Sequence, residues 1–365
     1  MDLNQPIVFA PNRVWRCYTG GALLDRFVGS QTEADGHLPE DWLASCVVAI
    51  NGPFSQGPEE GLARTLGPDA SPGPLLADLA KSDAAALFGP RHAARFGTSM
   101  GLLVKYLDSA VRLPIQCHPD IPMAQRLYGS TFGKTESWHI LDTRAIDGEE
   151  PYILMGFQPG VTRQAFGDAV ANQDVAALEP MLHKIHARPG ETYMVPARLA
   201  HAIGPGVFMI EVQEPSDWVV QVERYCADTR LSDENMWGSL APEQALDVFD
   251  YTGSTRQELL ARVRMQDRTV RSEAGGTVSE VIGKEHTEAF GLWRAEVTGR
   301  LRLALPRAFG LVIVTGGSGT IAWDGGTRPV RRGQYFLQPA GVESIEYAAD
   351  AGDPLRLAIG LPPEP

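Results

Sequence analysis

Cysteine, lysine and long apolar runs are all scarce in this chain, and each scarcity excludes something. Only four cysteines occur in 365 residues, Cys17, Cys46, Cys117 and Cys226, and no two share a CxxC spacing. That distribution supports neither a disulfide framework nor a thiolate zinc site. No apolar run approaches the ~20 residues that span a bilayer, and the opening MDLNQPIVFAPNR lacks the layout of a signal peptide. A cytoplasmic protein with no membrane partner is therefore expected. Positive charge is also short. The chain carries 32 Lys+Arg against 45 Asp+Glu, a net charge of −13, and only five of its cations are lysines: Lys81, Lys105, Lys134, Lys184 and Lys284. With no basic run denser than RPVRRG at 328–333, nucleic acid is not an expected partner. An anionic small ligand would have to be held by a few placed residues and not by a general field.

What is present points to folded domains. With 44% hydrophobic and 21% charged residues the chain can bury a proper core, and its length exceeds the ~250–300 residues at which single cores stop growing, so two domains are expected. Residues 7–50 alternate short apolar runs with Gly, Pro and Asp, as in strands joined by turns. Over 58–100, EEGLARTLG, PLLADLAKSDAAALFG and PRHAARFG space Leu and Ala at helical intervals and each ends at glycine. LLVKYLDSAVRLPIQCHPD (102–120) returns to strand-like alternation, 162–185 reads as helical, and helices are expected around SDENMWGSL, APEQALDVF and TRQELLARVRM. From about 270 onward the chain is short strands and Gly-rich turns, the pattern of an antiparallel sandwich or jelly roll.

An internal repeat gives this pattern an identity. ARPGETYMVPARLAHAIG (187–204) and RRGQYFLQPAGVESIEY (331–347) share a Gly, five residues, a Pro, and a key position five further on. That position is His201 in the first copy and Ser344 in the second. The frame G-x5-P-x-G-x2-H resembles the second conserved motif of cupins, with Arg198 in place of the glycine in the first copy and Gly341 present in the second. A chance recurrence of Gly-x5-Pro in a chain with 38 Gly and 27 Pro is the plain alternative. The reading is a mainly β protein of two cupin-like jelly-roll barrels with helical insertions: a catalytic domain over 1–240, a helical connector over 241–269, and a C-terminal barrel over 270–365 that lacks the metal histidine.

Four residues suggest a site for one divalent cation. Gln116 and His118 flank Cys117 on a strand and so point to one face. Glu136 lies in GKTES before an apolar strand, and His201 comes from the repeat. Two imidazoles, a carboxylate and an amide oxygen suit zinc, manganese or cobalt. Taken singly, each is equally an ordinary strand residue. In VFMIEVQE, Phe208, Ile210 and Val212 share one face while Met209, Glu211 and Gln213 share the other.

LLVKYLDSAVRLPIQCHPD, FGKTESWHILD and MVPARLAHAIGPGVFMIEVQEPSDWVV together resemble the type I phosphomannose isomerases, as do WRCYTGG (15–21) and LPEDWLAS (38–45). That resemblance implies zinc ligands at Gln116, His118, Glu136 and His201, and the interconversion of mannose 6-phosphate and fructose 6-phosphate through an enediol(ate). The reaction needs a base near the C1 and C2 protons. Glu211 is the candidate, with a solvated strand residue as the plain alternative. Lys134 is a candidate for stabilising enediolate charge. Lys105, Ser109 and Ser45 are candidates for holding the sugar phosphate, and Trp15, Trp42 and Trp138 for stacking on a sugar ring. One position departs from the family. Where its members carry an arginine shortly after Ser-Asp, SDWVVQVERY has Gln221, and Arg224 falls on the opposite strand parity. Gln221 is thus placed near the reacting carbons with an amide where a guanidinium is expected. This leaves two further readings open: an isomerase or epimerase of another sugar, and a non-catalytic sugar-binding cupin.

Overall fold

The computed structural model describes residues 2–67 and 69–364. It is mainly β, with two successive pairs of antiparallel sheets. In the first pair a six-stranded sheet runs in the order Arg13–Val14, Glu40–Leu43, Leu103–Ser109, Val207–Gln213, Glu136–Thr143, Thr192–Val195. Its companion is a five-stranded sheet in the order Val220–Gln221, Gln116–Cys117, His201–Ile203, Tyr152–Phe157, Leu182–His186. The second pair, from Arg268 onward, has six and four strands. Strand order departs from chain order throughout, as expected of jelly-roll connections.

Alternation along the strands divides the six-stranded sheet of the first pair into two different faces. Val104, Tyr106, Phe208, Ile210 and Val212 point outward into an apolar cluster shared with Ile282, Phe290, Phe309, Leu311, Ile313 and Ala358 of the second pair. The two barrels therefore pack back to back. Lys105, Glu211 and Trp138, one residue out of phase, take the inner face. Phe309 anchors the junction: fully buried, it meets Phe88 at 4.8 Å and His92 at 4.9 Å between ring centroids. Phe309→Ala should cost about 3–5 kcal/mol. The expected signature is a lower denaturant midpoint with an unchanged m-value.

The helices Leu76–Phe88 and Pro90–Phe96 lie within the span where helical spacing was read. Gly89 separates them with φ 85, and a Cβ there would lie 2.9 Å from Ala308; Pro90 then starts the next helix at a position that needs no N–H. EEGLARTLG is not a helix, contrary to the spacing of its leucines. Arg64–Leu66 instead pairs as a strand with Pro72–Leu75. Gly61 takes φ +90 there, with no room for a Cβ beside the Val47 carbonyl, and the Ala63 N–H donates to Ser45. These backbone groups are claimed by neighbours distant in sequence. Helical spacing over 162–185 also ends early, because Leu182–His186 joins the five-stranded sheet beside Tyr152–Phe157. Among residues read as strands and turns, Ala22–Val28 is a helix whose Leu23 and Leu24 N–H groups donate to the distant Asp108 carboxylate.

The repeat survives in three dimensions. Thr192–Val195 leads into His201–Ile203, and Tyr335–Gln338 leads into Ser344–Ala349. Arg198, standing at the motif's glycine position, holds a left-handed φ of 71. Its guanidinium donates to the carbonyls of Asp247, Val248 and Phe249, contacts a glycine could not make.

Candidate metal centre and active-site cavity

Register assembles the site from two rows of side chains. Across the six-stranded sheet, Trp42 pairs with Lys105, Lys105 with Glu211, and Glu211 with Trp138. In the companion sheet, Gln221 pairs with Gln116 and Gln116 with His201. A cavity of about 490 Å³ is lined by members of both rows, Lys105 and Glu211 from the first and Gln116 and Gln221 from the second.

Behind this lining, within reach of Lys134, His118, Glu136 and His201 are all buried, with potential ligand atoms within 4.8 Å of one another. Among the described residues this is the one such group. The imidazoles are set for coordination. Nδ1 of His118 lies 2.8 Å from the Trp218 carbonyl, and Nδ1 of His201 lies 2.8 Å from the Leu199 carbonyl. A carbonyl can only accept, so each Nδ1 carries the proton and each Nε2 presents a lone pair. Nε2 of His118 is 3.1 Å and Nε2 of His201 is 3.8 Å from the Glu136 carboxylate. The His201 Nε2 is buried with no hydrogen-bond partner, an arrangement that is costly unless a cation completes it. Burial, reinforced by His118, pushes the His201 pKa down to about 3. Burial alone would raise Glu136, but Lys134 and the two histidines outweigh it and hold this carboxyl well below the usual range. The donor set fits a divalent cation on this chemistry.

Lys134 Nζ lies 2.8 Å from Glu136 and 3.2 Å from His118 Nε2. Lys105, also buried, is 3.0 Å from the Glu211 carboxylate and 5.0 Å above the Trp42 ring. The Trp138 indole N–H reaches both Glu136 and Glu211 at 3.2 Å. Burial, then the neighbouring charge of Glu136, push the Glu211 carboxyl up to about 7 against the pull of Lys105. Gln221 lines the cavity and donates its amide to the Asn235 carbonyl at 3.3 Å. Arg224 does not take its place, being turned away toward Asp233 and the Leu231 carbonyl.

Two candidates are not brought to the cavity. Ser109 Oγ is fully buried and donates to the Gly204 carbonyl at 2.6 Å. Ser45 Oγ is tied into a local turn with the Val47 N–H and carbonyl. Both hydroxyls satisfy backbone groups, and neither residue is among those that line the cavity. Of the tryptophans, Trp42 and Trp138 are fully buried beneath the cavity, while Trp15 reaches its wall.

Sequence reasoning missed the second layer. Glu40 accepts from the Tyr18 hydroxyl and the Trp42 indole, each at 2.6 Å, and pairs with Arg16 at 3.0 Å. Arg16 also binds Asp217 at 3.2 Å and Asn51 at 3.0 Å. These residues lie in the WRCYTGG, LPEDWLAS and SDW segments, but no spacing rule links positions 16, 40 and 217. Glu40 carries a stability prediction. Burial works to raise its pKa, yet Arg16 and Lys105 outweigh it and hold it at about 2 against an ordinary 4.5. Its stabilisation is therefore complete above pH ~4.5 and lost as pH falls toward 2, on the order of 3 kcal/mol. Asp41 and Asp108, raised to about 6 chiefly by burial, act in the opposite sense, favouring the fold as pH falls from 6 toward 4. Glu40→Gln should flatten the acid limb below pH ~4.5 in denaturation midpoints of the metal-free protein.

Fold and site thus define a two-barrel cupin-like protein with one candidate metal centre beside a cavity lined by charged, amide and aromatic side chains. No family model matches the chain. It is 26% identical over 263 residues to the mannose-6-phosphate isomerase of Streptococcus mutans, covering 71% of this chain and 76% of that protein. To the mannose-6-phosphate isomerase ManA of Bacillus subtilis it is 23% identical over 256 residues, covering 70% and 73%. The crystal structure of the mannose 6-phosphate isomerase from Bacillus subtilis superposes with a TM-score of 0.72 at 23% identity, over 97% of this chain and 99% of that one. A mutant of phosphomannose isomerase from Salmonella typhimurium gives 0.71 at 16%, over 98% and 100%. The structural likenesses establish the fold, and in sequence the chain is similar to proteins named mannose-6-phosphate isomerase. No described helix is long and apolar enough to cross a membrane.

Proposed function

We propose that the protein is a divalent-metal-dependent aldose–ketose isomerase, moving a proton between C1 and C2 of an open-chain sugar. One observation carries this reading. Two buried imidazoles with fixed tautomers converge on the Glu136 carboxylate, and the Glu211 carboxylate, which lines the cavity, is joined to Glu136 by one indole N–H. His118, Glu136 and His201 would hold the cation, with Gln116 beside them in register, and zinc suits this nitrogen and oxygen set. When bound, the cation supplies Lewis-acid polarisation of the sugar's carbonyl and hydroxyl oxygens.

The remaining steps belong to side chains. Glu211 accepts the proton α to the carbonyl and returns it to the adjacent carbon. Lys105, 3.0 Å away, orients that carboxylate and favours its ionised form against burial. Lys134 places a second ammonium where negative charge develops on the enediolate oxygens. Mannose 6-phosphate, named for the relatives, is the reference compound. Purified protein should contain about one divalent metal per chain and convert an aldose to its ketose, with activity lost on chelation and restored by zinc, manganese or cobalt. A fully metallated site that turns over no aldose or aldose phosphate would reject the reading.

A further inference from the structure

We propose that this site takes an unphosphorylated aldose, a neutral sugar held by stacking and hydroxyl hydrogen bonds; the inference rests on the isomerase reading above and concerns its substrate class. Charge pairing in the cavity carries it. Among the described lining residues there are three cations, Arg16, Lys105 and Lys134, and each is already committed. Arg16 lies 3.0 Å from Glu40 and 3.2 Å from Asp217; Lys105 lies 3.0 Å from Glu211; Lys134 lies 2.8 Å from Glu136. These pairs are all buried, with side chains at most 11% exposed. Glu234 adds a further carboxylate to the cavity lining from an exposed helix turn. The four carboxyl groups of the lining, Glu40, Glu211, Asp217 and Glu234, with Glu136 behind Lys134, therefore outnumber the three cations.

A phosphate dianion entering that site has two options. It can remain unpaired beside carboxylates, or it can strip a cation from its partner and leave that partner's charge buried and uncompensated. Either course is heavily penalised where water is excluded. A neutral sugar faces no such penalty, and the outer walls suit it. Trp15 stacks on Phe54 with centroids 4.4 Å apart, and Trp218 stacks on Tyr128 at 4.4 Å. These rings, with the amides of Gln221 and Asn235, line the cavity. Aromatic faces and amides match the C–H faces and hydroxyls of a sugar and offer nothing selective for a dianion.

The test compares metal-loaded protein on mannose with mannose 6-phosphate, and on ribose with ribose 5-phosphate, following ketose formation. The expected result is a kcat/KM at least 10-fold higher for the free sugar of the better pair. An equal or higher value for the phosphate ester overturns the proposal and leaves the isomerase reading intact. Glu234→Lys, on an exposed turn, should shift the ratio at least 10-fold toward the ester; an unmoved ratio counts against the charge argument. Should neither member of any pair be turned over, the isomerase reading falls, and calorimetric binding of the same pairs still decides the substrate class. Tighter binding of the free sugar upholds the proposal, and tighter binding of the ester, or of neither, overturns it.

Discussion

Glu136→Ala should yield protein without bound divalent metal, with isomerase turnover lower by about 10³-fold or more, the scale of losing electrostatic stabilisation of developing charge. Glu136 is the one anionic donor between two neutral imidazoles, so removing it leaves a cation only uncharged nitrogen ligands and the Gln116 amide. The substitution also has a second effect that a surface ligand would not show. Lys134 is buried and its ammonium lies 2.8 Å from the Glu136 carboxylate. Deleting that partner leaves a buried charge uncompensated, which costs about 3–5 kcal/mol. That is a large share of the 5–15 kcal/mol that holds a typical domain folded. Adding Lys134→Met to the same variant should recover most of the stability and none of the metal. Metal analysis and denaturant unfolding on the two variants separate the effects. If Glu136→Ala retained metal at wild-type stoichiometry, the proposed ligand set would be wrong.

Much of this site was legible because strand parity is a strict rule. The alternation in VFMIEVQE put Glu211 opposite the apolar face of Phe208, Ile210 and Val212, and the structure places those three against the second barrel and Glu211 in the cavity. The Gly-x5-Pro frame likewise located His201 at the start of its strand, even though Arg198 breaks the motif. Parity and frames are local, and what they could not reach was partnership. Lys105 and Lys134 read as cations available to an anion because nothing in one strand shows which carboxylate stands across from it. Register supplied Glu211 to Lys105, and the Arg16–Asp217 pair spans 201 residues. The serines lie away from the cavity lining for a related reason. A buried hydroxyl goes to the nearest unsatisfied carbonyl, and for Ser109 that carbonyl belongs to Gly204, 95 residues away. Scarcity of lysine was a sound clue to placed charge; that the charge is already neutralised could be seen only in three dimensions.

Glu211→Gln should lower kcat by about 10²–10⁴-fold, the usual contribution of a positioned general base, while metal content stays at one per chain. The split matters because Glu211 and Glu136 share the Trp138 indole N–H. A purely structural role for Glu211 would disturb the ligand set, and the variant would lose metal as well as turnover. The amide keeps the shape of the carboxylate and can still accept from Trp138, so the ligand geometry should hold. What it cannot do is accept the C–H proton. Lys105 then loses its nearer counter-charge and retains only Glu40, 3.9 Å away, so the variant should also be less stable than wild type. Glu211→Gln combined with Lys105→Met restores the charge balance and should recover stability without recovering turnover. Loss of C2 proton exchange with solvent in Glu211→Gln, read by incorporation of deuterium into recovered sugar, ties the defect to proton transfer. A variant that kept exchanging that proton at the wild-type rate would remove Glu211 from the role of base.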